Sequence, residues 1–312
     1  MQAVTLRIGT RGSPLALAQA HEVRARLMAA HDLPEAAITI TVIKTSGDRI
    51  QDKPLSEAGG KGLFTKEIEE ALIDRSIDLA VHSMKDVPTA LPDGLVISAI
   101  LKREDVRDAF ISLMSGSLSK LPAGAVVGTS SLRRQAQVLN LRPDLKVVGF
   151  RGNVETRLKK LEEGLVDATF LATAGLNRLG MANRITERVA TNEMLPAVAQ
   201  GAVGIEIRAD DERTAGLIAP LDHQETALAI AAERALLARL EGSCRTPIAG
   251  LARLSAGEIE LQGMVLSPDG TLCHRARRRD RAATAIALGE AVADELLQLA
   301  GPDFLARFRI PS

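Results

Sequence analysis

Twice in this chain a short apolar run ends in Gly-Thr and passes within three residues to a hydroxyl able to cap a helix. Ile8-Gly9-Thr10 leads to Ser13, and Val127-Gly128-Thr129 leads to Ser131. A strand that ends in a tight loop and enters a helix aims free backbone N–H groups beyond its own end, a place suited to anions. Around both openings the order is strand, helix, strand, helix, which builds a parallel or mixed sheet covered by helices. Two such lobes, joined by crossings, predict a cleft.

Val4, Leu6 and Ile8 alternate as a strand should, Ser13-Pro14 reads as an N-cap with proline at the first helical position, and that helix runs to about His31. A strand at Ile38–Lys44 leads into a polar, glycine-rich stretch, Ser46–Gly62, expected to be a mobile loop. A helix near Phe64–Asp74, a strand at Ile77–Val81 ending in His82-Ser83-Met84-Lys85-Asp86, and a strand at Leu95–Leu101 follow. The charged stretch Lys102–Asp108 reads as a crossing. Beyond it come strands at Ala125–Gly128, Lys146–Phe150 and Ala168–Ala172, with helices capped by Thr129-Ser130-Ser131 and by Asn153. Val203–Ile207 is apolar enough to return as a strand to the first lobe. A helix from His223 to Leu240, strands at Ile248–Leu254, Glu258–Leu266 and Thr271–Arg277, a turn at Ser267-Pro268-Asp269-Gly270 and a helix over Ala282–Ala300 make a small third domain.

Composition excludes several classes. Lysine plus arginine number 39 and aspartate plus glutamate 39, so no net charge suits the chain to coating nucleic acid or an anionic membrane. No Trp, no Tyr and six Phe leave little for stacking bases. No apolar run approaches the ~18–20 residues of a membrane span. Thr226–Leu240, the most apolar helical stretch, is broken by Glu233, Arg234 and Arg239. The Leu15–Ala20 run is too short for a secretion signal, so a cytoplasmic protein is expected. Cys244 and Cys273 are too few for a disulfide framework and sit in no zinc-like pair, so no metal is expected.

The residues that point to chemistry gather at strand ends, where open α/β sheets bind ligands. Arg11, Arg133, Arg134, Arg151 and Arg157 fall there with Ser13, Thr129, Ser130 and Ser131. Guanidinium forks match carboxylates in two-point geometry, so the set suggests a ligand with many carboxylates or phosphates, against the plainer reading of solvated helix arginines. Asp86, beside Lys85, can offset a developing cation or shuttle a proton; the plain alternative is a turn aspartate. His82 reads as a packed histidine, Cys273 as packing, and Lys66, Glu69 and Glu70 as a solvated helix face. Cys244 lies in a Gly-Ser-Cys-Arg loop where Arg245 would favour the nucleophilic thiolate, against the plainer reading of a structural or incidental cysteine. The arginine-rich run Arg275–Arg281 reads as an exposed strand end rather than a nucleic-acid patch.

Seven motifs then occur in order: Gly9-Thr10-Arg11-Gly12-Ser13-Pro14-Leu15-Ala16, Gly59-Gly60-Lys61-Gly62-Leu63-Phe64, His82-Ser83-Met84-Lys85-Asp86-Val87-Pro88, Gly128-Thr129-Ser130-Ser131-Leu132-Arg133-Arg134, Arg151-Gly152-Asn153-Val154-Glu155-Thr156-Arg157, Ala174-Gly175-Leu176-Asn177-Arg178-Leu179 and Gly242-Ser243-Cys244. Over essentially the whole chain this resembles the porphobilinogen deaminase (hydroxymethylbilane synthase) family. The resemblance implies an α/β chain of three domains. The first two (1–101 plus 202–219, and 107–195) resemble type II periplasmic-binding-protein lobes, and the third (223–312) is a small α+β domain with an antiparallel sheet. It implies a cytoplasmic, monomeric transferase of tetrapyrrole biosynthesis that condenses four porphobilinogen molecules head to tail, with loss of ammonia, into linear hydroxymethylbilane. It also implies a dipyrromethane cofactor joined by a thioether to Cys244. Asp86 matches the catalytic carboxylate. Ser83, Lys85, Thr129, Ser130, Ser131, Arg133 and Arg134 are implied as cofactor contacts, and Arg11, Ser13, Arg151, Arg157 and Arg178 as substrate contacts. At position 57 many relatives carry lysine where this chain has Glu57, and Lys61 is a candidate replacement.

The competing class is an anion binder without catalysis, a solute receptor or the sensing part of a regulator on the same two-lobed fold. An export signal or a DNA-binding segment would mark one, and neither is evident. A reactive cysteine in a third domain has no purpose in either.

Overall fold

The computed structural model describes residues 5–49, 62–240, 247–301 and 304. Cys244, Arg245, Glu57 and Lys61 lie outside the described residues, as does most of the loop expected at Ser46–Gly62. In chain order the elements are β1 (Leu6–Thr10), α1 (Pro14–His31), β2 (Ile38–Val42), α2 (Ser46–Arg49), α3 (Lys66–Ile73), β3 (Leu79–Ser83), β4 (Leu95–Ile100), β5 (Asp108–Ser112), β6 (Val126–Gly128), α4 (Leu132–Leu141), β7 (Lys146–Val148), α5 (Val154–Glu162), β8 (Ala168–Ala172), α6 (Thr173–Arg178), β9 (Glu187–Arg188), β10 (Val203–Arg208), α7 (Glu212–Ile218), α8 (Gln224–Arg239), β11 (Ile248–Ser255), β12 (Glu258–Leu266), β13 (Cys273–Arg281) and α9 (Ala285–Ala300).

The chain divides into two compact units, one of residues 1–50, 60–104 and 201–227, the other of 51–59, 105–200 and 228–312. The first is built on a sheet of order β2-β1-β3-β10-β4, in which β1 runs parallel to β2 and β3 while β10 is antiparallel to β3 and β4. Leu6, Ile8, Leu79, Val81 and Ile205 pack with Ala20, Val23 and Leu27 of α1 into its core. On α1, Ser13 Oγ accepts from the Ala16 N–H at 3.3 Å and Pro14 opens the helix. At the far end Asp32 takes the left-handed conformation and its N–H returns to Met28 O.

In the second unit the sheet β7-β6-β8-β5-β9 repeats that order. Here β6 is parallel to β7 and β8, and β5 is antiparallel to β8 and β9. Both openings seen in the sequence thus sit on the second strand of a five-stranded sheet with one antiparallel return. Their glycines are closely packed: a Cβ at Gly9 would lie 2.3 Å from Ile77, and one at Gly128 would lie 2.7 Å from Phe150. The expected caps are made, Ser131 Oγ accepting from Arg134 N at 3.4 Å and Asn153 Oδ1 from Thr156 N at 2.8 Å.

A three-stranded antiparallel sheet, β11-β12-β13, packs in the same unit against α8 and α9 through Ala232, Leu236, Ile259, Leu261, Val292 and Leu296. A second apolar cluster, with Ala136 of α4, Leu251 of β11 and Met264 of β12, joins this sheet to α4, and half-buried Cys273 packs there as expected. The architecture is therefore α/β, with a separate small C-terminal α+β body.

The short β9 has no counterpart in the sequence reading, and β5 and β13 also differ from it. β5 was hidden in what reads as a charged crossing, because its first residue is Asp108; all five of its residues are buried. β13 continues to Arg281, since Glu260 pairs with Arg277 at 2.6 Å and with Arg279 at 3.2 Å across the strands. Glu69 is also a correction. Lys66 and Glu70 are exposed, but Glu69 is buried beside Ile68 and Leu72 on the inner face of α3.

Candidate active site

In the first unit the expected residues stand at the C-terminal ends of β1 and β3. A pocket of about 60 Å³ opens there, lined by Arg11, Ser13, Gln19, Phe64, His82, Ser83 and Asp86 among others. The Arg11 guanidinium lies 4.1 Å from the centre of the Phe64 ring, which orients the cation. Gln19 of α1 is buried and donates through Nε2 to Ser83 Oγ at 2.9 Å. Lys85 and Asp86 occupy a single 3₁₀ turn after β3, and both are exposed. Buried Met84 anchors that turn: its N–H donates to Ala202 O at 3.0 Å, and its own carbonyl accepts from Val87 N.

A wider depression of about 460 Å³ at the opposite end of β1 is lined by Arg7, Arg75, Asp78, Arg208 and Asp211 among others. Its charges are spent on each other: Arg7 on Asp78 at 2.8 Å and Arg208 on Asp211 at 2.5 Å. The small pocket is the one lined by Arg11, Ser13, Ser83 and Asp86.

In the second unit the hydroxyls follow β6. Thr129 Oγ1 accepts from Ser131 N at 3.1 Å, Ser130 Oγ from Phe150 N at 3.0 Å, and Ser131 Oγ caps α4. Each oxygen is used as an acceptor, which leaves each O–H to donate, as a carboxylate ligand requires.

The arginines divide into two kinds. Arg133 and Arg134 are buried, and Asp108, fully buried on β5, holds both. Oδ2 lies 2.8 Å from Arg133 Nη1, and Oδ1 lies 2.7 Å from Arg134 Nη2. Arg133 Nη1 also donates to Leu195 O, Arg134 Nη1 to Phe170 O, and Gln200 Nε2 to Asp108 Oδ1. Burial alone would raise the Asp108 carboxyl, but the two guanidiniums hold it far below the usual carboxylate range. Burial, then repulsion from Arg134, lowers Arg133. One carboxylate thus serves two cations.

Arg151 and Arg157 are the second kind. They lie at the loop after β7 and on α5, half-buried, and neither has an acidic partner among the described residues. Arg157 donates Nε to Gly152 O at 2.8 Å, and burial together with the charges of Arg134 and Arg151 lowers it to about 10. Arg151 Nη1 is buried with no hydrogen-bond partner among the described residues. Arg178 ends α6, which follows β8, and is half-buried.

The structure therefore groups Arg11, Ser13, Ser83 and Asp86 in one pocket, and Arg134, Arg151 and Arg157 in one electrostatic cluster. Sequence reasoning missed Gln19, whose signal is a lone amide on the apolar face of Ala16, Ala20, Val23 and Leu27. It also missed Asp108, whose partners lie 25 and 26 positions away.

Among the described residues no group of three metal-ligating side chains occurs, and no helix is long and apolar enough to cross a membrane. A dipyrromethane carries carboxylates, which accept hydrogen bonds, and pyrrole N–H groups, which donate them; the arginines and hydroxyls present fit its carboxylates. Such a group would satisfy Arg151 Nη1, which is buried without a partner among the described residues, and could accept from the hydroxyls of Thr129, Ser130 and Ser131.

Comparison with known proteins agrees. Residues 6–216 match the family model "Porphobilinogen deaminase, dipyromethane cofactor binding domain", and residues 227–298 match "Porphobilinogen deaminase, C-terminal domain". A porphobilinogen deaminase of Paracoccus denitrificans is 60% identical over 96% of both chains, and one of Nitrobacter winogradskyi is 58% identical over 96% of this chain and 95% of its own. Solved structures superpose only slightly. The periplasmic substrate-binding protein of an ABC transporter from Coxiella burnetii gives a TM-score of 0.43 at 17% identity, over 74% of this chain and 97% of its own. A periplasmic VFT2 domain of BvgS from Bordetella pertussis gives 0.40 at 13%, over 69% and 86%. Those two decide nothing about the site, whereas the family models cover both the strand-end arginines and the small C-terminal body. On that match, and on relatives near 60% identity along almost the whole length, the chain belongs to the porphobilinogen deaminase family of enzymes.

Proposed function

We propose that this chain is the transferase that condenses four porphobilinogen molecules head to tail, releasing one ammonia from each, to give linear hydroxymethylbilane. The observation that carries the reading is the excess of arginine in the second unit. Arg133 and Arg134 share the single carboxylate of Asp108, while Arg151 and Arg157 have no acidic partner among the described residues, where Arg151 also keeps a buried N–H without a partner. Burying like charges is costly unless something anionic arrives, and every porphobilinogen brings two carboxylates.

When bound, the dipyrromethane supplies the pyrrole acceptor to which substrate is joined; we assign its attachment to Cys244. Thr129, Ser130, Ser131, Arg133, Arg134, Ser83 and Lys85 are the residues proposed to hold it, with Arg11, Ser13, Arg151, Arg157 and Arg178 on the substrate. Asp86 does the electrostatic work. As the C–N bond of the aminomethyl group breaks, its electron pair leaves with ammonia and the methylene carbon becomes electron-poor. The Asp86 carboxylate offsets that charge and holds the substrate's pyrrole N–H. Gln19 and Met84 keep Ser83 and the Asp86 turn in place. We further propose the three-domain partition 1–101 plus 202–219, 107–195 and 223–312, a monomer, and a cytoplasmic location.

Steady-state ammonia release from porphobilinogen tests the reading. Wild-type protein should release it, and Asp86→Asn should fold normally yet lose about 10²–10³ in kcat, the loss typical of one preorganised electrostatic group. Binding of porphobilinogen with no ammonia released would instead identify an anion receptor.

A further inference from the structure

β3 brings a second ionisable side chain to the pocket that holds Asp86. His82 is buried, and its Nε2 lies 2.9 Å from Oε2 of Glu206, a fully buried residue on the neighbouring strand β10. Glu69 of α3 completes the group. Burial pushes its carboxyl above the usual range, helped by the charges of Glu206 and Glu70, while the Thr65 hydroxyl and then His82 pull the other way. Glu69 Oε1 and Glu206 Oε1 are both buried with no hydrogen-bond partner among the described residues. The charged groups facing this cluster are therefore Glu69 from α3 and Glu206 from β10, with Arg11 and Asp86 on the pocket side.

Burying two carboxyls and an imidazole beside a strand end costs stability that an apolar trio of the same volume would not. What they do is geometric: a carboxylate can only accept, so Glu206 commits Nε2 as the protonated ring nitrogen and fixes the plane of the imidazole. Nδ1 makes no hydrogen bond among the described residues, and it is the ring atom left to meet a ligand.

We propose that Glu206 is a positioning residue for His82, and that His82 uses Nδ1 to accept a hydrogen bond from the aminomethyl nitrogen of the substrate, turning that leaving group toward departure beside Asp86. This rests on the transferase reading above. The aminomethyl group enters in its ammonium form and donates one of its N–H groups to Nδ1, so it leaves as neutral ammonia with the electron pair of the broken bond and His82 moves no proton.

The test uses the full chain with its cofactor and three variants, Glu206→Gln, Glu206→Leu and His82→Gln, each checked for a cooperative melt. The amide oxygen of Glu206→Gln accepts the same N–H, so kcat should stay within about threefold of wild type. Glu206→Leu should lose about tenfold to a hundredfold in kcat with KM changed less than about threefold, the mark of lost orientation rather than lost binding. His82→Gln should lose kcat to a similar extent. Imidazole nitrogen NMR of ring-labelled protein, assigned by the missing signal in His82→Gln, should show the proton on Nε2 in wild type and in Glu206→Gln. A folded Glu206→Leu or His82→Gln with unimpaired kcat overturns the proposal, and so does a folded Glu206→Gln as slow as Glu206→Leu. If Glu206→Leu does not fold, the ring spectrum decides, and a proton on Nδ1 in wild type refutes the pairing. A wild-type chain that releases no ammonia counts against the transferase reading alone, because the ring spectrum still judges the pair.

Discussion

Arg151 and Arg157 are cations that the fold holds near Arg134 with no acidic partner among the described residues, and burial together with these neighbours lowers Arg157 to about 10. Removing such a group should cost function without costing stability. Arg157→Leu is expected to leave unfolding free energy within about 1 kcal/mol of wild type, or to raise it, while ammonia release falls by about 10²; denaturant melts and turnover on the same samples check both. A variant that melts early and turns over normally would make Arg157 a structural residue. Glu69 gives the opposite kind of test. Its folded carboxyl titrates above its unfolded value, so wild-type stability must fall as pH rises from the unfolded glutamate range through that raised value. Glu69→Gln lacks the group, and its stability relative to wild type should grow as pH rises above the unfolded glutamate range, about pH 4, and level off above the raised folded value; a constant difference would mean that Glu69 is not perturbed. The caps at Ser13, Ser131 and Asn153 were legible because a cap is a local bond, made three residues along. The Asp108 clasp was not, because nothing in a linear reading brings β5 to α4.

At the scale of elements, strands with a clear apolar run or alternation, such as Ala168–Ala172 and Glu258–Leu266, could be read with their boundaries. β5 could not, since a buried charge at its start makes it look like the crossing before it. The turn at Ser267–Gly270 was legible from proline and glycine, but not what it touches. It packs on the last turn of α4: Asn140 Nδ2 donates to Gly270 O at 2.8 Å and Gln135 Nε2 to Pro268 O at 3.3 Å. Gly270 has φ +74, and a Cβ there would lie 2.5 Å from Asn140 N and 2.6 Å from Ala136 O. Both partners are backbone and cannot swing aside. Gly270→Ala should therefore destabilise the chain by about 2–3 kcal/mol, through overpacking and a left-handed dihedral together. A thermal melt is enough to see it, and an unchanged midpoint would mean that the turn does not rest on α4. Because α4 carries Arg133 and Arg134, the same variant should also weaken retention of the cofactor.

Across the whole molecule the two five-stranded sheets share one strand order, and the repeated Gly-Thr opening was the visible trace of it. Only the topology extends that trace to five strands on each side. What the described residues supply is a turn with one carboxylate in the first unit and a surplus of arginine in the second. The account makes sense of that charge pattern by a resident group attached at Cys244, beyond the described residues. Intact mass spectrometry of the purified, folded chain tests this most directly. Wild type and Cys273→Ala should both exceed their sequence masses by two pyrrole units and should gain further units singly when porphobilinogen is added. Cys244→Ala should weigh what its sequence weighs and release no ammonia. A wild-type mass equal to that of the sequence, in protein that releases ammonia from porphobilinogen, would contradict the account.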